Sequence, residues 1–370
     1  MAATDYGQMP QEKLNAYSKK MYQEYEDSFF FTGAQGVGNN VIEKVTELTS
    51  NGKGETGAYF PLVPRLVGGG IVGDNQMDGR ERSSSSAWQK VNFDQFRNAL
   101  INKGRLSDQK SLIQLRKTYR PLLTSWLSDS NEDQAILTVS GISYAYNTDG
   151  SPRVTPEGQD NWTDLAYAAD VKPPSANRHR RWTASGLAAG DTSAVTAADT
   201  ITYDALPEIK AYALNKRITP VRIGGKDVHI LMVYTNVMAK LWKDANFRQS
   251  IIGASERGSN NPFLRFGVNT IHDLVVVPYA RTYNTTGAAS GSKWGSGGTV
   301  DGSRCMLLGA QALARADLET PQWEEESKDY RNRQGFGIAH MGGWLKPQFP
   351  SSYDKGSLED FGAIAFDVAL

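Results

Sequence analysis

Leu14, Tyr17, Met21 and Tyr25 recur at three- and four-residue spacing among charged residues, which predicts a short amphipathic helix, or a segment that orders on a partner, within residues 1–30. Loop, a short apolar-periodic turn and loop follow to residue 60. Phe60, Leu62 and Leu66 then alternate with other residues as a strand does, and "AWQKVNFDQF" supplies a second strand. Between them lies "GGGIVGDNQMDGRERSSSS", whose glycines, acids and serine run no buried element would tolerate. The pattern is a hairpin whose far end is too polar to pack on its own body.

The next periodic stretch is "SDQKSLIQLRKTYRPLLTSWLSD", with Ser107 placed to cap a helix. Leu112, Leu115, Tyr119, Leu122, Leu123 and Trp126 fall on one face; Lys110, Lys117 and Arg120 gather on the other. Pro121 removes a backbone donor inside it, which predicts a kink. Residues 143–200 are poor in large aliphatics and read as a long irregular surface excursion. "TYDALPEIKAYALNK" restores helical spacing through Leu206, Ile209, Tyr212 and Ala213. "DVHILMVYT" is an apolar run of strand length, expected to be central and buried on both faces. A helix ("TNVMAKLWKDANFRQS"), a strand ("HDLVVVPYA") and a glycine-rich loop ("KWGSGGTVDGS") come next. "RCMLLGAQALARA" reads as a strand followed by a short helix, and the last fifty residues have mainly strand character. No repeat is visible. The order of elements is α+β.

Composition adds three constraints. At 370 residues the chain can bury a sizeable core unaided. Lysine plus arginine number 40 and aspartate plus glutamate 40, so the formal net charge is zero. A protein that grips nucleic acid through its phosphates carries a basic excess, so any such contact here is local and weak. The single cysteine, Cys305, cannot form an intrachain disulfide; it fits a reducing cytosol and reads as a small buried apolar residue. No secretory leader or membrane-spanning run is evident.

Motifs for chemistry fail in turn. "GGKD" lacks the upstream glycine and the hydroxyl of a phosphate loop, and "GAQGVG" has the wrong spacing for a dinucleotide turn. His179, His229, His272 and His340 are scattered over different elements. "DNQMDG" copies the first half of a calcium loop, but Gln76 and Ser85 stand where ligands are needed, so a turn is the reading. Glu324, Glu325 and Glu326 are adjacent and therefore diverge, as a solvated face does. "NRHRRW", with Arg178, Arg180 and Arg181, could touch nucleic acid or pair with acids of a neighbouring subunit; zero net charge favours the second. No catalytic, cofactor-binding or metal-ligating residue emerges.

A hairpin that rejects its own core must find its packing on another molecule, which points to an assembly subunit. The blocks "FPLVPRLVGGGIVGDNQMDGRE", "NFDQFRNALINKGRLSDQKSLIQLRK", "NRHRRW", "NNPFLRFGVNTIHDLVVVPYA", "CMLLGAQALARA" and "KDYRNRQGFGIAHMGGWLKPQF" carry a resemblance. In order and spacing, from about residue 15 to the C-terminus, the chain resembles tailed-phage major capsid proteins of the Hong Kong 97-type fold, in the branch common among short-tailed phages.

The resemblance implies an N-terminal arm (1–55), an extended β-hairpin loop (56–100), a peripheral domain with a spine helix (101–204), an axial domain (205–320) and a return to the peripheral domain (321–370). The loop would lie across a neighbouring subunit, with Arg65, Gly68, Gly69, Gly70, Asp74, Asp78, Arg80, Arg82 and Trp88 at the contact. Lys110, Lys117 and Arg120 would face packaged double-stranded DNA, held by weak non-specific contact. The implied partners are the chain itself, as pentamers and hexamers of an icosahedral shell, a separate scaffolding protein, since only about 55 residues precede the hairpin, and a portal. A decoration protein stays open. No cofactor and no membrane are implied, and neither is a covalent crosslink, for which no lysine–asparagine signature is present. The virion would be its location, after assembly in the bacterial cytoplasm. A glycan-binding tail or adhesin component is the alternative, against which the lack of repeats counts. A hydrolase using Asp74, Asp78 or Glu324–Glu326 lacks a positioned partner.

Overall fold

The structure, a computed structural model, describes residues 11–36, 38, 40–45, 57–62, 70–78, 87–110, 115–155, 161–223, 225–255, 269–318, 321–351, 354 and 356–370. In chain order its main elements are α1 (Gln11–Ser28), β1 (Gln35–Gly36), β2 (Ile42–Val45), β3 (Gly57–Leu62), β4 (Ala87–Asn92), β5 (Asp94–Ile101), α2 (Arg105–Lys110) and α3 (Leu115–Ser140). Then come β6 (His179–Thr183), β7 (Gly186–Ala189), α4 (Ala205–Asn215), β8 (Val221–Ile223), β9 (Lys226–Val233), α5 (Thr235–Lys243), α6 (Ala245–Ser255), β10 (Asn269–Ile271) and β11 (Leu274–Pro278). The chain closes with β12 (Gly302–Leu308), β13 (Leu313–Asp317), β14 (Gln322–Lys328), β15 (Arg333–Leu345), β16 (Gln348–Pro350), β17 (Leu358–Asp360) and β18 (Ala363–Ala369).

Two sheets organise these elements. The larger runs β10-β11-β9-β12-β18-β6-β7, with β8 beside β9. Its central strands alternate between two cores, as a strand buried on both faces must. Leu231, Val233, Cys305, Leu307, Ile364 and Phe366 point toward α4, α5 and α6. Met232, Met306, Leu308, Ala363 and Ala365 point the other way, toward Ile136 and Val139 of α3. The smaller sheet runs β1-β2-β13-β15-β14, with β5 on the other side of β15. Phe336, Ile338 and Trp323 on its inner face pack on Met21 and Tyr25 of α1 and on Leu123 and Leu127 of α3. The long helix thus packs on one face of each sheet: 26 residues span about 39 Å at 1.5 Å per residue.

Several expectations need correction. The helix does not stop near residue 128. Ser128, Ser130, Asn131, Glu132 and Gln134 look solvent-facing in the sequence, yet all are buried in α3. Two of them find partners far along the chain: Glu132 accepts from the Phe30 backbone N–H at 2.6 Å and from the Tyr279 hydroxyl, and Gln134 accepts from the Tyr167 hydroxyl at 2.9 Å. Ser107 lies within α2 and does not cap the long helix, and Leu122 is exposed; Pro121 lies inside α3, where the sequence placed it. "ALARA" is the strand β13, held between β2 and β15, because Leu313, Ala314 and Ala316 fill the core and even Arg315 is buried. Residues 143–200 are no mere excursion: β6 joins β18 in parallel, and Tyr144, Tyr167 and Trp182 are buried.

Sheet membership also cuts the chain differently from the expected segments. β5 belongs to the smaller sheet, and the last strand, β18, sits in the middle of the larger one.

Candidate assembly surfaces

The hairpin exists as a two-stranded ribbon, β3 against β4, with Tyr59 opposite Lys90 and Ala58 opposite Val91. Its two faces have different fates. Ala58, Phe60 and Val91 are buried with Ala314, Ala316, Leu345 and Phe349, so the base packs on its own chain, contrary to the sequence argument taken whole. Gln348 donates its backbone N–H to Gln89 at 3.0 Å and locks the register. A Cβ at Gly343 would sit 1.9 Å from the Asn92 carbonyl oxygen, so glycine is what lets the ribbon cross β15 here. Tyr59 and Trp88, on the other face, are exposed.

At the far end Gly70, Asp74 and Asp78 are exposed, as are Val72 and Met77, two apolar side chains without cover from their own core. Gly73 takes φ +69°, and the Asn75 amide donates to the Val72 carbonyl at 2.6 Å, which shapes a local turn. Arg65, Gly68, Gly69, Arg80 and Arg82 lie outside the described residues.

The expected cation face is only partly a face. Lys110 falls in α2 and Lys117 in α3. Arg120 pairs with Glu24 of α1, so its charge ties α1 to the long helix. The "NRHRRW" cluster has partners within its own chain. Arg178 is buried, with Nη1 3.5 Å from Asp354 and Nε donating to the Asp360 carbonyl at 3.1 Å. Arg180 donates to the Tyr212 hydroxyl at 2.7 Å, and Arg181 Nη1 lies 3.8 Å from Asp199.

Two buried charge networks escaped the sequence reading. Arg304 Nε donates to Asp367 at 2.8 Å across the registered β12–β18 pair, and His179 Nε2 lies 2.5 Å from the same carboxylate. Burial pushes the Asp367 carboxyl up, but Arg304 and His179 outweigh it and hold the group below its ordinary value. In the smaller sheet Arg315 donates to Asp317 at 2.8 Å, to Gln35 at 3.0 Å and to the Tyr25 hydroxyl at 3.1 Å. His340 Nε2 lies 3.3 Å from Asp317. Burial again opposes the charged carboxyl, and Arg315, His340 and Lys44 together keep Asp317 well below the usual carboxylate range. The only sequence signal is a lone charge inside an apolar strand run: "RCMLL", "LARAD", "FDVAL".

The β14–β15 turn also went unread. Asp329, Tyr330 and Arg331 all have positive φ, and holding non-glycine residues there costs on the order of 1 kcal/mol each. Cys305 is buried, and that burial pushes its thiol up to about 12, which leaves it inert. Glu324, Glu325 and Glu326 alternate along β14 and do not converge. Among the described residues no group of three or more His, Cys, Asp or Glu side chains could hold a metal ion, and no helix is long and apolar enough to cross a membrane.

A two-sheet α+β body with a β-ribbon, exposed apolar side chains at its far end and charges spent on internal pairing defines a structural building block. The chain belongs to the phage capsid protein family, whose profile matches residues 8–370. It is 38% identical to the major capsid protein of Pseudomonas phage KPP25 over 371 residues, which covers 99% of this chain and 97% of that one. Its fold is similar to the capsid of Ralstonia phage GP4, with a TM-score of 0.74 at 21% identity over 92% of this chain and 91% of the other. The capsid chain of cyanophage Pam1 superposes with a TM-score of 0.70 at 16% identity, over 100% and 96%. The α+β capsid fold expected from the sequence is therefore the one observed.

Proposed function

We propose that this chain is the major capsid protein of a tailed double-stranded-DNA phage, self-assembling into the icosahedral shell that encloses the genome. The full-length identity of 38% to a curated major capsid protein carries the reading. α1 and the segment after it act as the arm, residues 57–92 as the extended loop, the smaller sheet with α3 as the peripheral domain and the larger sheet with α4–α6 as the axial domain. That division follows sheet membership, which supports it. The shell contains pentamers and hexamers, a portal and non-specifically held DNA, whose weak grip fits the zero net charge. The scaffolding protein is separate. The subunit carries out no catalysis and is found in the virion.

Negative-stain microscopy of the purified chain, with and without its scaffolding protein, tests the reading. Closed shells or capsomer rings are expected; fibres would favour a tail or adhesin component, and persistent monomers would remove the shell function. Mass spectrometry of mature particles should find the subunit without a large N-terminal loss.

A further inference from the structure

On the outer face of the smaller sheet, side chains line up in rows across three strands. Ile101, Gly335 and Glu326 form one row, and Ala99, Gly337 and Glu324 the next. The middle strand gives no side chain to either row, so the floor of a groove of about 1010 Å³ is bare backbone. Among the described residues nothing requires this. A Cβ at Gly335 or at Gly337 would come no nearer than 3.6 Å to any atom, an ordinary contact. Neither glycine has positive φ. Glycine within a strand weakens it and marks a place where another group approaches the backbone closely. One wall of the groove is apolar, Ala99 and the exposed Ile101; the other carries Glu324 and Glu326, with Lys19 and Lys328 also on the lining and Lys328 Nζ 3.3 Å from Glu326.

The same sheet end carries a knob. The Asn332 N–H donates to the Asp329 carbonyl at 2.9 Å, closing a two-residue turn of Tyr330 and Arg331, both with positive φ. Hairpin turns of this hand favour Asn-Gly, so Tyr-Arg is a strained choice that displays two large side chains. Tyr330 is fully exposed. Lys328 and Arg333 are paired in register just beneath; Lys328 also pairs with Glu326, which leaves Glu324 as the carboxylate facing the groove without an intrachain cation among the described residues. The turn joins the two strands that form the groove, so the knob cannot fold back into it.

We propose that Tyr330 and Arg331 of one copy seat in the glycine-floored groove of a second copy. The ring lies over Gly335 and Gly337 against Ala99 and Ile101, and the guanidinium meets Glu324. The contact rests on the reading that the chain assembles with itself, and names one place where it does. Knob and groove are different patches of one sheet end, so the contact is made either head to tail around an axis or reciprocally across a twofold. The opposite charges set its register.

The test uses the full chain under conditions where the parent forms shells. Gly337→Val fills the groove with a residue strands favour, and Tyr330→Ser removes the knob at an exposed turn. Both variants should keep the parental monomer melting temperature, and closed particles should fall at least tenfold. In particles assembled from a Tyr330→Cys/Ala99→Cys chain, oxidation should join copies by disulfides, with none in either single variant. Parental shell yields from both Gly337→Val and Tyr330→Ser, or particles of the double-cysteine chain without intersubunit disulfide, would overturn the proposal. A parent that forms no shells would instead count against the proposed function.

Discussion

Asp367 is fully buried between Arg304 and His179, and its worth depends on keeping those partners. Removing one member of a buried ion pair leaves an uncompensated charge, which costs about 3–5 kcal/mol. Asp367→Asn should therefore lower subunit stability by that order, read as a shifted denaturant midpoint with unchanged slope. The same geometry fixes a pH dependence. Asp367 and Asp317 both have folded-state values below the ordinary 3.8. Such groups contribute their full stability above the unfolded value and lose it as pH falls through the folded one. The subunit should hold its stability down to about pH 5 and lose it progressively in stronger acid. Asp317→Asn should flatten that acid limb while lowering stability at pH 7. Equal acid sensitivity of the parent and Asp317→Asn would show that this carboxylate is not held as described.

At the scale of elements, the β3–β4 ribbon separates folding from assembly within six residue pairs. Phe60 lies in the core beneath the ribbon, and Phe→Ala in such a site costs about 3–5 kcal/mol. Phe60→Ala should thus destabilise the monomer by that order in thermal melts. Trp88→Ala, on the outward face, should leave melting within about 0.5 kcal/mol of the parent. Equal losses in the two variants would mean that both faces are internal. The ribbon was legible in the sequence because period-two alternation and a polar far end are local signals. α4, β9 and β11 were legible for the same reason: their apolar periodicity matches the faces they bury. The end of α3 was not, since Ser128 to Gln134 are polar and their burial depends on Phe30, Tyr167 and Tyr279, all remote in sequence. β13 was misread as helix because alanine and leucine favour helix locally, and the neighbours β2 and β15 that override this come from both ends of the chain. "NRHRRW" reads as a basic patch until Asp199, Asp354 and Asp360 arrive from elsewhere in the fold.

For the whole molecule, the question is what the far end of the hairpin does once its base is secured. Deleting residues 68–79 should leave a folded subunit that cannot close shells. The base keeps Ala58, Phe60 and Val91 in the core, whereas Val72 and Met77 at the tip are exposed, so the monomer loses almost no packing. Shortening a surface loop even relieves closure entropy, which changes by only ~0.6 kcal/mol per doubling of length. Assembly responds differently, because each subunit makes the same contact and the loss recurs at every position of the lattice. A loss of ~2 kcal/mol per interface is about thirtyfold in one association step, and repeated around a shell it abolishes closed particles at ordinary concentrations. Thermal melting and sedimentation of the deletion variant decide the matter: parental melting with only small oligomers is the expected result. A collapsed melting temperature would assign the tip to the subunit's own core, and normal shells would mean that the clasp between subunits lies elsewhere, with Trp88 and Tyr59 at the ribbon's base the first residues to examine.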